Sequence, residues 1–114
     1  MPFIDSKVSV SISPEQEAEL VKRLGQAISI IPGKNESWLM TGFEQNYHLY
    51  FRGENNTPTA FVEVKVFGSE NKSAFSELTA EICNIFQDVL QIPSDHVYVK
   101  YEVVSNWCWN GGNF

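Results

Sequence analysis

Cysteine is scarce in this chain of 114 residues: Cys83 and Cys108 are the only two. Neither sits in a C-x-x-C or other metal-ligand spacing, and nothing argues for a disulfide between them. Cys83 falls in the apolar run Ile82-Cys83-Asn84-Ile85-Phe86 and reads as a core residue. Histidine is equally sparse. His48 and His96 lie far apart without a Cys or His companion, so neither a metal site nor a cofactor is expected. Basic residues number 8 against 14 acidic ones, for a net charge of −6. They are scattered along the chain, which excludes the clustered Lys and Arg that nucleic-acid binding requires. The acidic balance also weighs against an anionic membrane surface. No apolar run approaches the roughly 20 residues needed to span a bilayer. The first residues, Met-Pro-Phe-Ile-Asp-Ser-Lys, lack a basic segment followed by an apolar one. The expected location is therefore the cytoplasm, with export in the absence of a signal peptide left open.

Hydrophobic residues make up 43% of the chain, enough for one modest core, which oligomerisation would enlarge. Lys7 to Ile12 alternates polar and apolar residues, the pattern of a half-buried strand. Ser13-Pro14-Glu15-Gln16 then supplies an N-cap, a proline suited to the first helical position and a capping box. Ala18, Leu20, Val21, Leu24, Ala27 and Ile28 form an apolar stripe near the 3.6 period. Ile31-Pro32-Gly33 ends that helix. Residues 38–43 read as a second strand, 47–51 as a short aromatic one, and 59–67 as a strong one, with a turn over 53–58. A second helix is predicted over about 71–90, stopped by Gln91-Ile92-Pro93, and a last strand over 96–102.

The chain repeats itself. Phe61-Val62-Glu63-Val64-Lys65-Val66 echoes Phe3-Ile4-Asp5-Ser6-Lys7-Val8, and at the same offset Glu77-Leu78 echoes Glu19-Leu20. The reading is one α+β domain over residues 1–114, built from tandem β-α-β halves at about 2–57 and 58–114. Their strands form a four-stranded sheet with two helices on one face. Within each half the two strands run parallel across the helix. The other sheet face also needs cover, and Trp107-Cys108-Trp109 with the segment 47–51 are natural oligomer contacts.

Three features bear on chemistry. Pro2 follows the initiator Met, and a small second residue permits removal of that Met. The result is a free secondary amine, which burial and a nearby cation would tune toward neutral pH. Lys34 follows Pro32-Gly33, where a β-α-β unit returns to the level at which its first strand began. There it would hold a carboxylate and depress the amine's pKa. Trp38, Tyr98, Trp107 and Trp109 read as lining of an apolar pocket, or as core and interface.

Over its whole length the chain resembles the macrophage migration inhibitory factor family of the tautomerase superfamily. The likeness rests on Met1-Pro2-Phe3-Ile4, Gly33-Lys34, the stretch from Asn56 to Lys65, and Phe67-Gly68. It continues through Ile92 to Val99 and Asn106-Trp107-Cys108-Trp109-Asn110-Gly111. The resemblance implies a homotrimer with active sites at subunit boundaries and keto–enol tautomerisation of aryl pyruvates such as phenylpyruvate. It implies Pro2 as general base, Lys34 as carboxylate ligand, the Phe67 backbone N–H as oxygen ligand and Trp38 as aromatic wall. Tyr98 is implied to close a neighbour's pocket, near Trp107 and Trp109.

There are departures. Lys100 stands where well-known animal members have Asn, which would favour a different ring substituent or a second acidic group. Trp107 replaces a smaller residue and would narrow the pocket. Thr59 and Val62 stand where some members carry a C-x-x-C motif, so thiol–oxidoreductase activity is not implied. Two rivals remain. One is a cytokine-like protein that binds a receptor and keeps a vestigial active site. The other is a dehalogenase or decarboxylase, which tends to add paired arginines; here Arg23 and Arg52 are alone, and Arg23 reads as solvated on its helix.

Overall fold

A computed structural model describes residues 1–114. Strand β1 (Pro2–Val8) turns Ile4, Ser6 and Val8 inward, and β3 (Ala60–Phe67) does the same with Val62, Val64 and Val66. This is the period of two that places alternate side chains on opposite faces. β2 (Met40–Glu44) runs parallel to β1, β4 (Val97–Val104) runs parallel to β3, and β1 meets β3 antiparallel. The four strands form a mixed sheet in the order β2-β1-β3-β4.

Helix α1 (Pro14–Ala27) begins as its sequence dictates. Gln16 N–H donates to Ser13 Oγ at 3.1 Å, and Ser13 N–H donates to Gln16 Oε1 at 2.9 Å. Together these bonds satisfy two donors that a helix start otherwise leaves unpaired. α2 (Lys72–Leu90) is capped by Asn71, whose Oδ1 accepts the Ala74 N–H at 3.0 Å. It ends with Gln91 in the left-handed conformation, while Ile92 N–H reaches back to Phe86 O at 3.2 Å. Ile92 is fully buried, the apolar contact that accompanies such a stop. Both helices lie on one face of the sheet. Leu20, Leu24 and Ile28 from the first helical segment meet Leu78, Ile82, Ile85 and Phe86 from α2 over the inward valines of β3. Each fully buried side chain of this size contributes about 1.5–3 kcal/mol, opposed by the entropy of ordering the chain.

Several expectations shift. The first strand is Pro2–Val8 rather than 7–12; Val10 and Ile12 pack on the core without strand pairing. Ala18 and Val21 are exposed, because the buried stripe follows Leu20, Leu24, Ala27 and Ile28. Cys83 is half-buried beside the core, while Ile82, Ile85 and Phe86 take the central positions. Arg23 is not simply solvated. It bridges the helices through Asp88 at 2.9 Å and Glu81 at 3.6 Å. Residues 47–50 form no strand, and Phe51 makes only an isolated bridge to Glu54.

The second sheet face is polar. Lys7, Lys65 and Lys100 each approach Glu63 to 3.6 Å, and Lys100 lies 2.8 Å from Glu102. Partly exposed pairs of this kind stabilise a monomer little.

One residue departs from the inward apolar pattern. Ser6 is fully buried on β1, and its hydroxyl has no hydrogen-bond partner. A buried, unpaired hydroxyl is destabilising, so Ser6→Ala should raise stability by about 1 kcal/mol. The check is a higher urea midpoint at unchanged slope. A lower midpoint would show that the hydroxyl is hydrogen-bonded in solution.

Candidate active site

The register between β1 and β3 sets the site. Pro2 lies opposite Val66, so Met1 lies opposite Phe67. The Phe67 N–H donates to the Met1 carbonyl oxygen at 3.1 Å. Lys34 arrives from the loop after the first helix. Ile31 is buried, Gly33 adopts φ +81°, and the Lys34 N–H donates back to Ile31 O at 3.1 Å. That turn aims the Lys34 ammonium at the Phe67 carbonyl oxygen, to which it donates at 2.6 Å. Gly68 follows with φ +129°, a conformation that side chains rarely adopt, and a Cβ there would stand 3.8 Å from Lys34 Nζ.

The aromatic wall has two sources. Asn35 Oδ1 accepts the Ser37 N–H at 2.9 Å and starts a single helical turn over Glu36–Trp38. Trp38 is therefore in a turn rather than in the expected strand over 38–43, and β2 begins only at Met40. The second source is the hairpin of β5 (Cys108–Trp109) and β6 (Gly112–Asn113), closed by Asn110 and Gly111 at φ 51° and 84°. Trp109 and Phe114 set their rings 5.2 and 5.7 Å from Trp38, both edge-on. Phe114 also lies 6.4 Å from the Phe67 ring.

Between these parts lies a hollow of about 570 Å³, lined by Met1, Pro2, Phe3, Ser37, Trp38, Leu39, Met40, Trp107, Cys108 and Trp109. No charged side chain is among these residues, and Lys34 is the cation at the Met1 end. The Met1 amine is held below its ordinary pKa, first by burial and then by the Lys34 charge and hydrogen bond. Pro2 is itself buried. Once Met1 is removed the amine is Pro2's, one residue on, and burial with a nearby cation lowers an amine's pKa toward neutral pH. An apolar cleft with one cation and one backbone N–H at its end suits a flat anion bearing a carbonyl.

The family model for Macrophage migration inhibitory factor (MIF) matches residues 1–114. This chain belongs to the macrophage migration inhibitory factor family. It is similar to the crystal structure of Leishmania major MIF2, at 32% identity and a TM-score of 0.92, over 100% of this chain and 97% of that one. A family homologue from Prochlorococcus marinus is 30% identical with a TM-score of 0.87, over 98% of both chains. A fused 4-OT protein described as a wild-type symmetric trimer shares the fold at 15% identity and a TM-score of 0.84, over 96% of this chain and 93% of that one. No curated protein matches.

The family residues foreseen in the sequence divide into two groups. Pro2, Lys34, Phe67, Trp38, Trp107 and Trp109 gather at one end of the sheet. Tyr98 and Lys100 do not join them within the chain. Tyr98 is opposite Phe61, whereas Val103 is opposite Val66 and so level with Pro2. Five residues of strand separate those levels, about 17 Å. Tyr98 instead packs edge-on against Phe51 at 5.5 Å. Lys100 is no free cation either: Glu102 foremost, with help from Glu63, raises its pKa. Within the chain its charge is matched by Glu102 and Glu63. Trp107 is half-buried in the cavity lining, and Trp109 is engaged with Trp38 in the same chain. Phe114 and the Met1 carbonyl were missed. An aromatic residue after a Gly-Gly turn signalled the first, and no side-chain pattern signals the second.

Proposed function

We propose that the chain is a keto–enol tautomerase acting on aryl pyruvates such as phenylpyruvate, with the Pro2 amine as general base once Met1 is removed. The observation that carries this reading is the convergence of three groups at one end of an apolar, aromatic cavity. They are the Pro2 position, the Lys34 ammonium and the Phe67 N–H. Lys34 has three hydrogens and gives one to the Phe67 carbonyl, leaving others for a substrate carboxylate. The Phe67 N–H takes the substrate's carbonyl oxygen. The Pro2 nitrogen then removes a proton from the adjacent carbon, and the electron pair moves onto oxygen. Both donors stabilise the enolate in a water-poor setting. The protonated amine returns its proton to oxygen, giving the enol, or to carbon in reverse. One proton and one electron pair move within the substrate, so no cofactor enters.

The same reading includes a homotrimer in which Tyr98 of a neighbouring subunit closes the pocket. Its support is that Tyr98 is 60% exposed on an edge strand. The exposed Tyr47 and Tyr50 of the non-strand segment 47–50 and the polar open sheet face are further surfaces for a neighbouring subunit. The test is phenylpyruvate conversion by tag-free, Met1-free protein, together with its mass in solution. Activity at the mass of three chains is expected. A correctly processed trimer without activity would sink the substrate assignment, and an active monomer would sink the shared pocket.

A further inference from the structure

We propose that Met1 is a built-in occupant of the ligand site, so that its removal opens the site as well as uncovering the base. This rests on the tautomerase reading and adds a regulation of the same site. The Phe67 N–H has one hydrogen, and the Met1 carbonyl takes it at 3.1 Å. A substrate carbonyl has no second hydrogen to use there. The Lys34 ammonium gives one bond to Phe67 O at 2.6 Å and stands near enough to the Met1 amine to lower that amine's pKa. Met1 also contributes to the cavity wall itself. The N–H that would grip a keto acid's carbonyl is therefore held by the first residue of the unprocessed chain, whose carbonyl stands where a substrate carbonyl would stand, with Lys34 beside it.

Hydrolysis of the Met1–Pro2 bond by an aminopeptidase consumes one water. The hydroxyl joins the Met1 carbonyl carbon, methionine leaves as the free amino acid, and the remaining hydrogen stays on the Pro2 nitrogen. The acceptor on Phe67 departs with the methionine. The loss of a blocking carbonyl and the gain of a secondary amine are thus one event. An unprocessed chain is shut twice: it lacks the base, and it cannot admit the ligand.

The two effects separate by measuring binding without turnover. Phenylglyoxylate is an aryl 2-keto acid with no enolisable hydrogen, and Trp38 and Trp109 report its arrival by fluorescence. The mature chain should bind it, since the Phe67 N–H is then free. The Met1-retaining chain, made with methionine aminopeptidase inhibited, should bind about tenfold more weakly, the scale of one lost hydrogen bond. Its Phe67 amide should also exchange with deuterated water more slowly than in the mature chain. Equal affinity for Met1-retaining and mature chains, with equal Phe67 exchange, overturns the occupant role and leaves Pro2 as base. Failure of the mature chain both to bind the probe and to convert phenylpyruvate overturns the tautomerase reading itself, and the occupant role with it.

Discussion

Mature protein carrying Pro2→Gly should convert phenylpyruvate at least about a hundredfold more slowly than mature wild type, within the 10²–10⁴-fold range that general bases contribute. The glycine amine keeps a lone pair and an ordinary pKa near ~7.7–8.0, so basicity alone is not what is lost. What goes is placement. The proline ring is buried at the head of β1, opposite Val66 and next to the residue whose carbonyl meets the Phe67 N–H, and it restricts the backbone there. Glycine frees the first backbone torsions and removes the packing that holds them. The loss should fall on kcat, because Lys34 and the Phe67 N–H still receive the substrate. An unchanged phenylglyoxylate affinity would show that the variant is folded at the site. A rate within about threefold of wild type would rule Pro2 out as the base and turn attention to another group in the cavity.

Much of the scaffold was legible because local and global signals agree. Ser13-Pro14-x-Gln16 starts a helix, Ile31-Pro32-Gly33 stops it, and the alternation through β1 and β3 chooses the inward face. The duplication followed from an offset of 58, and β3 and α2 do begin 58 residues after β1 and α1. Signals failed where structure depends on a partner. Tyr47 to Phe51 has strand-like composition, but a strand needs a free edge to pair with, and Asn46 and Arg52 bracket it with φ of 55°. Trp38 lies in a helical turn rather than at the head of a strand because the Asn35 side chain caps that turn and competes with extended chain. In the site, the side chains were legible and the register was not. Tyr98, implied by the resemblance to close a neighbouring subunit's pocket, is placed by β3–β4 pairing about 17 Å along the sheet from the level of Pro2 in its own chain. The Phe67 N–H and the Met1 carbonyl belong to the backbone, and their meeting follows from β1–β3 pairing rather than from residue type.

Lys34→Met separates two duties that the ammonium combines. Methionine keeps the unbranched stem and removes the charge. A charge-assisted hydrogen bond is worth about 1.5–3 kcal/mol, so kcat/KM for phenylpyruvate should fall about 10–100-fold. The methyl ester of phenylpyruvate, which has no carboxylate, should suffer much less. The second duty concerns the base. In the unprocessed chain the Met1 amine is held below its ordinary pKa mainly by burial and next by Lys34; the Pro2 amine, one residue on and itself buried, should feel the same two influences once Met1 is gone. The base works when deprotonated, so activity falls as pH drops through its pKa. Removing the neighbouring positive charge favours the protonated amine and raises that pKa. The acid limb of the kcat/KM profile should therefore move to higher pH in Lys34→Met, while burial keeps the shift partial. A fall in kcat/KM with the limb unmoved would confine Lys34 to carboxylate binding. A moved limb with equal losses for acid and ester would confine it to tuning the amine. If neither changes, Lys34 is surface, and the cavity has no cation to recognise an anionic substrate.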